Sequence, residues 1–127
     1  MNAPQQLLAT IDTIVRIAID EDVGPGDVTA AIIPADHVSN AYVLTREACV
    51  LCGRPWVDRV FALIEPAIEI SWLHAEGDDV PAGARLCQLR GPTRGLLTGE
   101  RTALNFLQTL AATATVTRRY ARELAGT

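Results

Sequence analysis

The chain has 127 residues, about the length of one domain, of which 49% are apolar and 20% are charged. This composition indicates a globular domain with a hydrophobic core, and no apolar run approaches the roughly 20 residues that a membrane-spanning helix needs. The start, MNAPQQLLATIDTIV, lacks the pattern of a secretory signal or a transit peptide. We therefore expect a cytoplasmic protein with no membrane partner.

The net charge of −4 is unevenly distributed along the chain. Residues 1–84 hold four arginines and thirteen acids, a net −9, whereas residues 85–127 hold seven arginines and two acids, a net +5. A basic end indicates either an anionic partner near that end or a solvated helical surface. Charge alone favours the solvated surface. Only Phe106 and Tyr120 provide aromatic side chains in the basic segment, so we expect no nucleic-acid partner.

Two features of composition exclude classes of chemistry. All eleven basic residues are arginine, which excludes a Schiff-base lysine, a P-loop lysine and a lysine that carries biotin or lipoate. Cys49 and Cys52 lie in a β-prone stretch, where residues three apart face opposite sides. Because Cys87 and the two histidines are scattered elsewhere, we expect buried free thiols and no metal site.

The first half of the chain predicts a helix, a strand and a second helix. Apolar residues from Leu7 to Ala18 recur at helical spacing, and the turn DEDVGPGDVT at 20–29 ends this helix. That turn fails as a calcium loop because Pro25 occupies the position that requires glycine. Residues 40–53 predict one long strand or a bent pair, and PWVDRVFALIEP predicts a helix with Pro55 in its first turn.

The second half predicts two strands and a long helix. Residues 67–77 alternate as a half-buried strand does, and residues 78–92 predict a turn, a short strand and another turn. A helix then extends from about Leu96 to Ala125, with a possible interruption near Thr113–Thr117. The order α-β-α-β-β-α gives the fold class α+β.

The last helix contains the candidate binding residue, Arg101. Thr98 or Gly99 can cap this helix and Glu100 suits its positive end, so Arg101 is expected one turn from the N-terminus. An apolar stripe runs along this helix and consists of Leu97, Leu104, Leu107, Ala111 and Ala114. A separate stripe, polar and then small, consists of Arg101, Asn105, Gln108 and Ala112. This arrangement suits a carboxylate or a phosphate, although an ion pair with a glutamate or simple exposure of Arg101 also explains it.

Several blocks resemble the N-terminal part of the quinolinate phosphoribosyltransferases, also called carboxylating nicotinate-nucleotide pyrophosphorylases. In chain order they are GDVTAAIIP, VLTREACVLCGRPWVDRVF, the stretch from WLHAEG to AATAT, and RRYARELAGT. LLTGERTALNFLQ is the most specific of them, and the resemblance extends from about Leu7 to Thr127.

The resemblance implies an N-terminal hammerhead-like α/β domain, a C-terminal seven-stranded α/β barrel and a homodimer. It implies a magnesium-dependent reaction of quinolinate with phosphoribosyl pyrophosphate that yields nicotinate mononucleotide, pyrophosphate and carbon dioxide for NAD synthesis. Arg101 matches the arginine that reaches across the dimer interface to a carboxylate of quinolinate. Residues 1–112 correspond to the substrate-covering domain, and residues 113–127 correspond to the helical segment that leads into the barrel.

The chain departs from the family pattern in length, because it stops where the barrel would follow. We therefore expect a fragment or truncated product that associates to cover apolar surface and is inactive alone. In the family, the catalytic residues and those around magnesium lie in the barrel, so none is assigned here. The roles of Arg118, Arg119 and Arg122 are left open, with surface or interface positions favoured.

Three alternatives remain on sequence grounds. EGDDVPAGARL resembles the turn of a biotinyl or lipoyl carrier domain, but such a domain requires an acceptor lysine. A paralogous protein associated with molybdate transport has a similar N-terminal half, although EDVGPGDVT and GERTALNFLQTL favour the quinolinate enzyme. The third alternative is a non-enzymatic dimerisation or ligand-binding module.

Overall fold

The computed structural model of the chain describes residues 3–23 and 32–126. Within them lie three helices and five strands, which is the predicted α+β class but with more strands than the predicted order α-β-α-β-β-α contains. The elements are α1 (Ala3–Val23), β1 (Val38–Leu44), β2 (Cys49–Val50), α2 (Arg54–Ile64), β3 (Glu69–Trp72), β4 (Asp79–Val80), β5 (Arg85–Pro92) and α3 (Thr93–Ala125).

The strands form two antiparallel sheets. The larger has the order β1-β5-β3, in which Ala41 of β1 and Ile70 of β3 both lie opposite Leu89 of the central strand. The smaller pairs the two-residue strands β2 and β4, with Cys49 opposite Val80. Of the two alternatives expected at residues 40–53, one long strand or a bent pair, the structure has two strands, and each belongs to a different sheet.

One hydrophobic core joins the three helices to the strands. Because alternate residues of β5 face opposite sides of the sheet, Cys87 and Leu89 point inwards together and are buried. The helices add a set of buried apolar side chains, which consists of Ile11, Val15, Val57, Val60, Phe61, Leu96, Ala103 and Leu107. These residues recur at helical spacing, so each helix packs through one face.

Helix α1 departs in two ways from the expectation. Ile11 and Val15 are buried, but Leu7, Leu8 and Ile14 are exposed, so the apolar face predicted for this helix is only partly buried. The helix also continues through the acidic residues to Val23. The rest of the turn expected at residues 20–29 lies outside the described residues.

Helix α3 begins earlier than expected and is continuous. Pro92 is its N-cap and Thr93 its first residue, whereas the sequence suggested a start near Leu96 with a cap at Thr98 or Gly99. The interruption considered near Thr113–Thr117 is absent from this helix, as the structure describes it through Ala125. The hydroxyl groups of Thr113 and Thr117 donate to carbonyls four residues earlier, so they are satisfied without breaking the helix. The division at residue 112 stays a prediction.

Glycines allow α2 and α3 to approach closely. Gly99 faces the end of α2, where a Cβ atom would lie 2.7 Å from Cε1 and 3.0 Å from Cδ1 of the Phe61 ring. A Cβ atom at Gly95 would similarly lie 2.7 Å from Cβ of Glu65. These glycines therefore serve close packing inside a helix, where glycine is otherwise unfavourable.

A charge network connects α1 to α2. Asp12 accepts a hydrogen bond from Nε of Arg16 at 2.8 Å, within α1, and lies 2.5 Å from Nη2 of Arg59 in α2. The hydrogen bonds from Arg16 and then from Arg59 lower the pKa of the Asp12 carboxyl below its ordinary value. Asp12 therefore favours the folded state in its charged form.

We expect Gly99→Ala to destabilise the fold by about 1–3 kcal/mol, although alanine is the better helix former, because the new methyl group collides with the buried Phe61 ring. Urea unfolding of the variant measures this loss. In the double variant with Phe61→Leu the two losses should be less than additive, because the collision is gone. Full additivity would contradict close packing at this point.

We expect Asp12→Asn to lower the free energy of unfolding at neutral pH and to reduce its pH dependence in the acid range. Because the folded pKa is depressed, the stabilisation is complete above the unfolded value of about 3.9 and is lost as pH falls through the folded pKa. Urea unfolding between pH 7 and pH 3 measures it. Asp36→Asn is the matched control, since Asp36 is exposed and forms no ion pair with a described residue. Identical pH profiles for the two variants would contradict the role of this network.

Candidate functional site

The site is built on the outward face of α3. The buried residues of this helix include Leu96, Gly99, Ala103 and Leu107, which recur at intervals of three and four. Arg101 lies two residues from both Gly99 and Ala103, about 200° around the helix from each, so it points away from the core. Its side chain is exposed, as the sequence predicts for the polar stripe.

The position of Arg101 along α3 differs from the prediction. Because the helix begins at Thr93, Arg101 lies eight residues, or about 12 Å, beyond its first residue. The influence of a helix dipole falls off within the first turn, so the positive end of α3 does not assist this arginine. Any anion bound by Arg101 is held by the guanidinium group and by neighbouring side chains.

Arg101 lines an open depression of about 330 Å³ on the surface of α3. The other lining residues are Leu97, Glu100, Leu104, Asn105 and Gln108. Glu100 and the two amides are exposed, and the leucines are half-buried. Since all six residues belong to one helix, the depression forms a single wall, whereas ligand pockets enclose most of a small molecule.

The guanidinium group of Arg101 has no hydrogen-bonding or ion-pair partner among the residues that the structure describes. Several other arginines of α3 have partners. Arg94 donates to the carbonyl oxygen of Ile33, and Arg118 donates to that of Gly77. An arginine with unused donors in a fixed fork is suited to binding a carboxylate in a bidentate manner.

The residue after Arg101 fixes this turn of α3 to α1. Thr102 is 1% exposed, and its hydroxyl group donates a 2.8 Å hydrogen bond to Oδ2 of Asp22, the penultimate residue of α1. A buried hydroxyl group without such a partner would be costly. The contact joins α3 to α1 next to Arg101, between two residues that are 80 positions apart in the sequence.

The three arginines near the end of α3 have different environments. Arg122 lies 2.7 Å and Arg118 lies 3.4 Å from Oδ2 of Asp79 in β4, and these cations hold the pKa of Asp79 below its ordinary value, Arg122 most strongly. The two residues thus attach α3 to the small sheet. Arg119 is exposed and makes no such contact within the described part of the chain.

A larger cleft of about 790 Å³ lies between α1 and α2, but its charged groups already have partners. Asp12 binds two arginines, and the Glu76 carboxylate accepts hydrogen bonds from the backbone N–H groups of Gly53 and Arg54 at the start of α2. Asp58 accepts a hydrogen bond from the indole N–H of Trp72. These contacts stabilise the fold, so the depression at Arg101 is the better candidate for an anionic ligand.

Two of the three cysteines have thiols with a raised pKa. Cys87 is buried, as expected, and burial, with a contribution from Asp58, raises the pKa of its thiol to about 12. Cys49 and Cys52 are only half-buried, so the expectation of full burial is wrong for both. Burial, with Glu76, also raises the pKa of Cys52, and thiols of this kind stay protonated and unreactive at neutral pH.

Residues 3–23 and 32–126 contain no group of three or more histidine, cysteine, aspartate or glutamate side chains that could hold a metal ion. In the same part of the chain, no helix is both long enough and apolar enough to cross a membrane.

Sequence reasoning missed part of the depression. It assigned Leu97 and Leu104 to the core stripe, but both are half-buried and line the depression beside Arg101. Glu100 was interpreted only as a charge near the helix N-terminus. The spacing contained a signal, because Leu97 and Leu104 lie four residues before and three residues after Arg101.

Known proteins resemble this chain in sequence. Residues 27–111 match the family model described as quinolinate phosphoribosyl transferase, N-terminal domain. A probable carboxylating nicotinate-nucleotide pyrophosphorylase from Synechocystis is 35% identical over 115 residues, which cover 91% of this chain and 39% of that protein. A decarboxylating quinolinate phosphoribosyltransferase from Nicotiana tabacum is 33% identical over 85% of this chain and 31% of its own length.

Solved structures show the same fold. The nicotinate-nucleotide pyrophosphorylase from Francisella tularensis superposes with a TM-score of 0.87 and 38% identity, covering 91% of this chain and 41% of that one. NadC from Streptococcus pyogenes gives a TM-score of 0.85 and 34% identity, covering 91% and 42%. The chain thus spans between about a third and two fifths of the length of these relatives.

The family model covers most of the chain, and the solved structures match the fold that the helices and strands form. The chain belongs to the quinolinate phosphoribosyltransferase family, whose N-terminal domain it carries.

Proposed function

We propose that this chain is the substrate-covering domain of an enzyme that converts quinolinate and phosphoribosyl pyrophosphate to nicotinate mononucleotide, pyrophosphate and carbon dioxide. In this proposal Arg101 binds one carboxylate of quinolinate. The observation that carries the proposal is an exposed arginine, without a partner among the described residues, in a depression on the N-terminal domain of this family.

The chemistry of quinolinate explains why an arginine is needed. The molecule carries two negative charges on adjacent carbons of one small ring, so several fixed cations must neutralise it before it can leave water. A guanidinium group supplies two parallel N–H donors to one carboxylate and keeps its charge at any physiological pH. The direction in which the Arg101 side chain leaves α3 is fixed, because the helix is packed on the opposite face.

One wall of a site is not a complete site. A single exposed arginine binds an anion in water with little favourable free energy, because solvent and salt screen the interaction. We infer that a second protein surface closes over α3, and that this surface is a barrel in the partner subunit of a homodimer. The exposed apolar side chains of Leu8, Ile17, Tyr120 and Leu124 are consistent with further surface being covered on association.

Magnesium and phosphoribosyl pyrophosphate bind outside this chain in this proposal. The described residues offer neither a cluster of metal ligands nor the lysines that commonly bind phosphate groups. The chain contributes to binding and orienting quinolinate and to excluding water from it, and its substrate-binding residue is Arg101. The remaining groups of the site come from the barrel.

The test is a chimera in which this chain replaces the corresponding N-terminal part of the Francisella tularensis enzyme, which shares 38% identity with it. We expect the chimera to form nicotinate mononucleotide from quinolinate and phosphoribosyl pyrophosphate. Arg101→Gln should raise KM for quinolinate by about 10- to 100-fold, the loss of a charge-assisted interaction, and leave KM for phosphoribosyl pyrophosphate nearly unchanged.

Arg119→Gln is the matched control. Arg119 lies on the same helix and at about the same angle around it as Arg101, but 18 residues, or about 27 Å, further along, and it is also exposed. This variant should behave as the unsubstituted chimera does. Equal effects of the two substitutions would contradict the assignment, as would a folded, dimeric chimera that forms no product.

A further inference from the structure

The depression on α3 combines three kinds of surface that one class of ligand requires together. Leu97 and Leu104 present half-buried apolar surface, Arg101 presents a cation and Asn105 presents an amide. A planar aromatic ring packs on apolar side chains, whereas its anionic substituents need hydrogen-bond donors at the ring edge. The depression therefore has the chemical character of one wall of a site for an aromatic acid.

Asn105 is the donor closest to Arg101 along this face. It lies one helical turn further on, a rise of about 6 Å, and residues with this spacing are neighbours on a helix surface. Its side chain is exposed and makes no hydrogen bond with any part of the chain that the structure describes. Its NH₂ group, with two N–H donors, is available to a ligand that Arg101 already holds.

Gln108 also lines the depression, but it is less well placed. It lies seven residues, or about 10.5 Å of helix rise, from Arg101, compared with about 6 Å for Asn105. Asn105 is thus the nearer of the two amides to a small molecule held by Arg101.

Glu100 restricts where an anion can lie. It lines the depression about 100° around the helix from Arg101, on the side away from Asn105. Its carboxylate repels a second negative charge on that side and thereby favours an orientation towards Asn105. Attraction on one side and repulsion on the other act together to select the orientation of a dianion.

We propose that Asn105 is a second substrate-binding residue, whose side-chain amide donates to the carboxylate of quinolinate that Arg101 does not bind. This inference rests on the proposed function, because it assumes that Arg101 binds the first carboxylate. The two residues together select an aromatic ring with carboxylates on adjacent carbons over rings that carry only one. Asn105 is then a determinant of specificity as well as of affinity.

The test uses the same chimera and three ligands. The KM for quinolinate is measured together with the inhibition constants of pyridine-2-carboxylate and pyridine-3-carboxylate, each of which keeps one of the two carboxylates. We expect Asn105→Ala to raise KM for quinolinate about tenfold. The same variant should weaken one monocarboxylate about tenfold and leave the other within twofold, and Arg101→Gln should act on the opposite isomer.

Two further variants sharpen the result. Asn105→Asp keeps the shape of the side chain but places a negative charge beside the carboxylate, so it should raise KM for quinolinate more than Asn105→Ala does. Thr109→Ala removes an exposed polar group from α3 outside the lining of the depression and should leave all three constants unchanged.

The outcomes separate this inference from the one on which it rests. If Arg101→Gln weakens quinolinate and Asn105→Ala changes nothing, the role of Asn105 is wrong and the proposed function stands. An Asn105→Ala variant that weakens both isomers equally, or the same isomer as Arg101→Gln, also overturns the inference. If Arg101→Gln itself has no effect, the proposed function fails first.

Discussion

The packing of α2 against α3 determines the direction in which each side chain of α3 points. Gly95 and Gly99 let the end of α2 approach so closely that a single methyl group at either position would collide with it. That approach buries the face of α3 that contains Ala103 and Leu107, and the opposite face, with Arg101, must point outwards. The exposed arginine is therefore a consequence of core packing.

Contacts near Arg101 and towards the far end of α3 prevent this helix from rotating about its axis. Near Arg101, the buried hydroxyl group of Thr102 is bonded to Asp22 of α1. Towards the far end of α3, Thr115, about four turns further on, accepts a hydrogen bond from the backbone N–H of Val50, and Arg122, about two turns beyond Thr115, pairs with Asp79 in the small sheet. A binding group must be held by its supporting contacts, and in the proposed site these contacts hold the part of α3 that carries Arg101.

Much of the fold could be predicted because hydrophobic periodicity reports burial directly. Val57, Val60 and Phe61 recur at helical spacing, and they are the buried residues of α2. The start of α3 could not be predicted in the same way. Gly91 and Pro92 suggest a turn, but the strand continues through both. Glycine is required at position 91 because a side chain there would meet the backbone of Ile68. Glycine signals close approach as well as turns, and the sequence alone does not distinguish the two.

The candidate site, like the fold, could be predicted from the sequence only in part. The polar stripe from Arg101 to Gln108 was visible in the spacing, and the structure exposes it. The structural roles of Arg118 and Arg122 were not visible, because their partners Gly77 and Asp79 are some 40 residues away in sequence. The dianionic ligand comes from family resemblance, since one helix face carries too little information to name a molecule.

The most direct measurement is a crystal structure of the two-domain chimera with quinolinate bound. We predict that the guanidinium group of Arg101 lies within about 3 Å of a quinolinate carboxylate across the subunit interface, with two N–H groups donating to its oxygens. A quinolinate molecule bound entirely by the barrel, with Arg101 paired instead to an acidic residue of the protein, would contradict the central claim that α3 presents this arginine to the substrate.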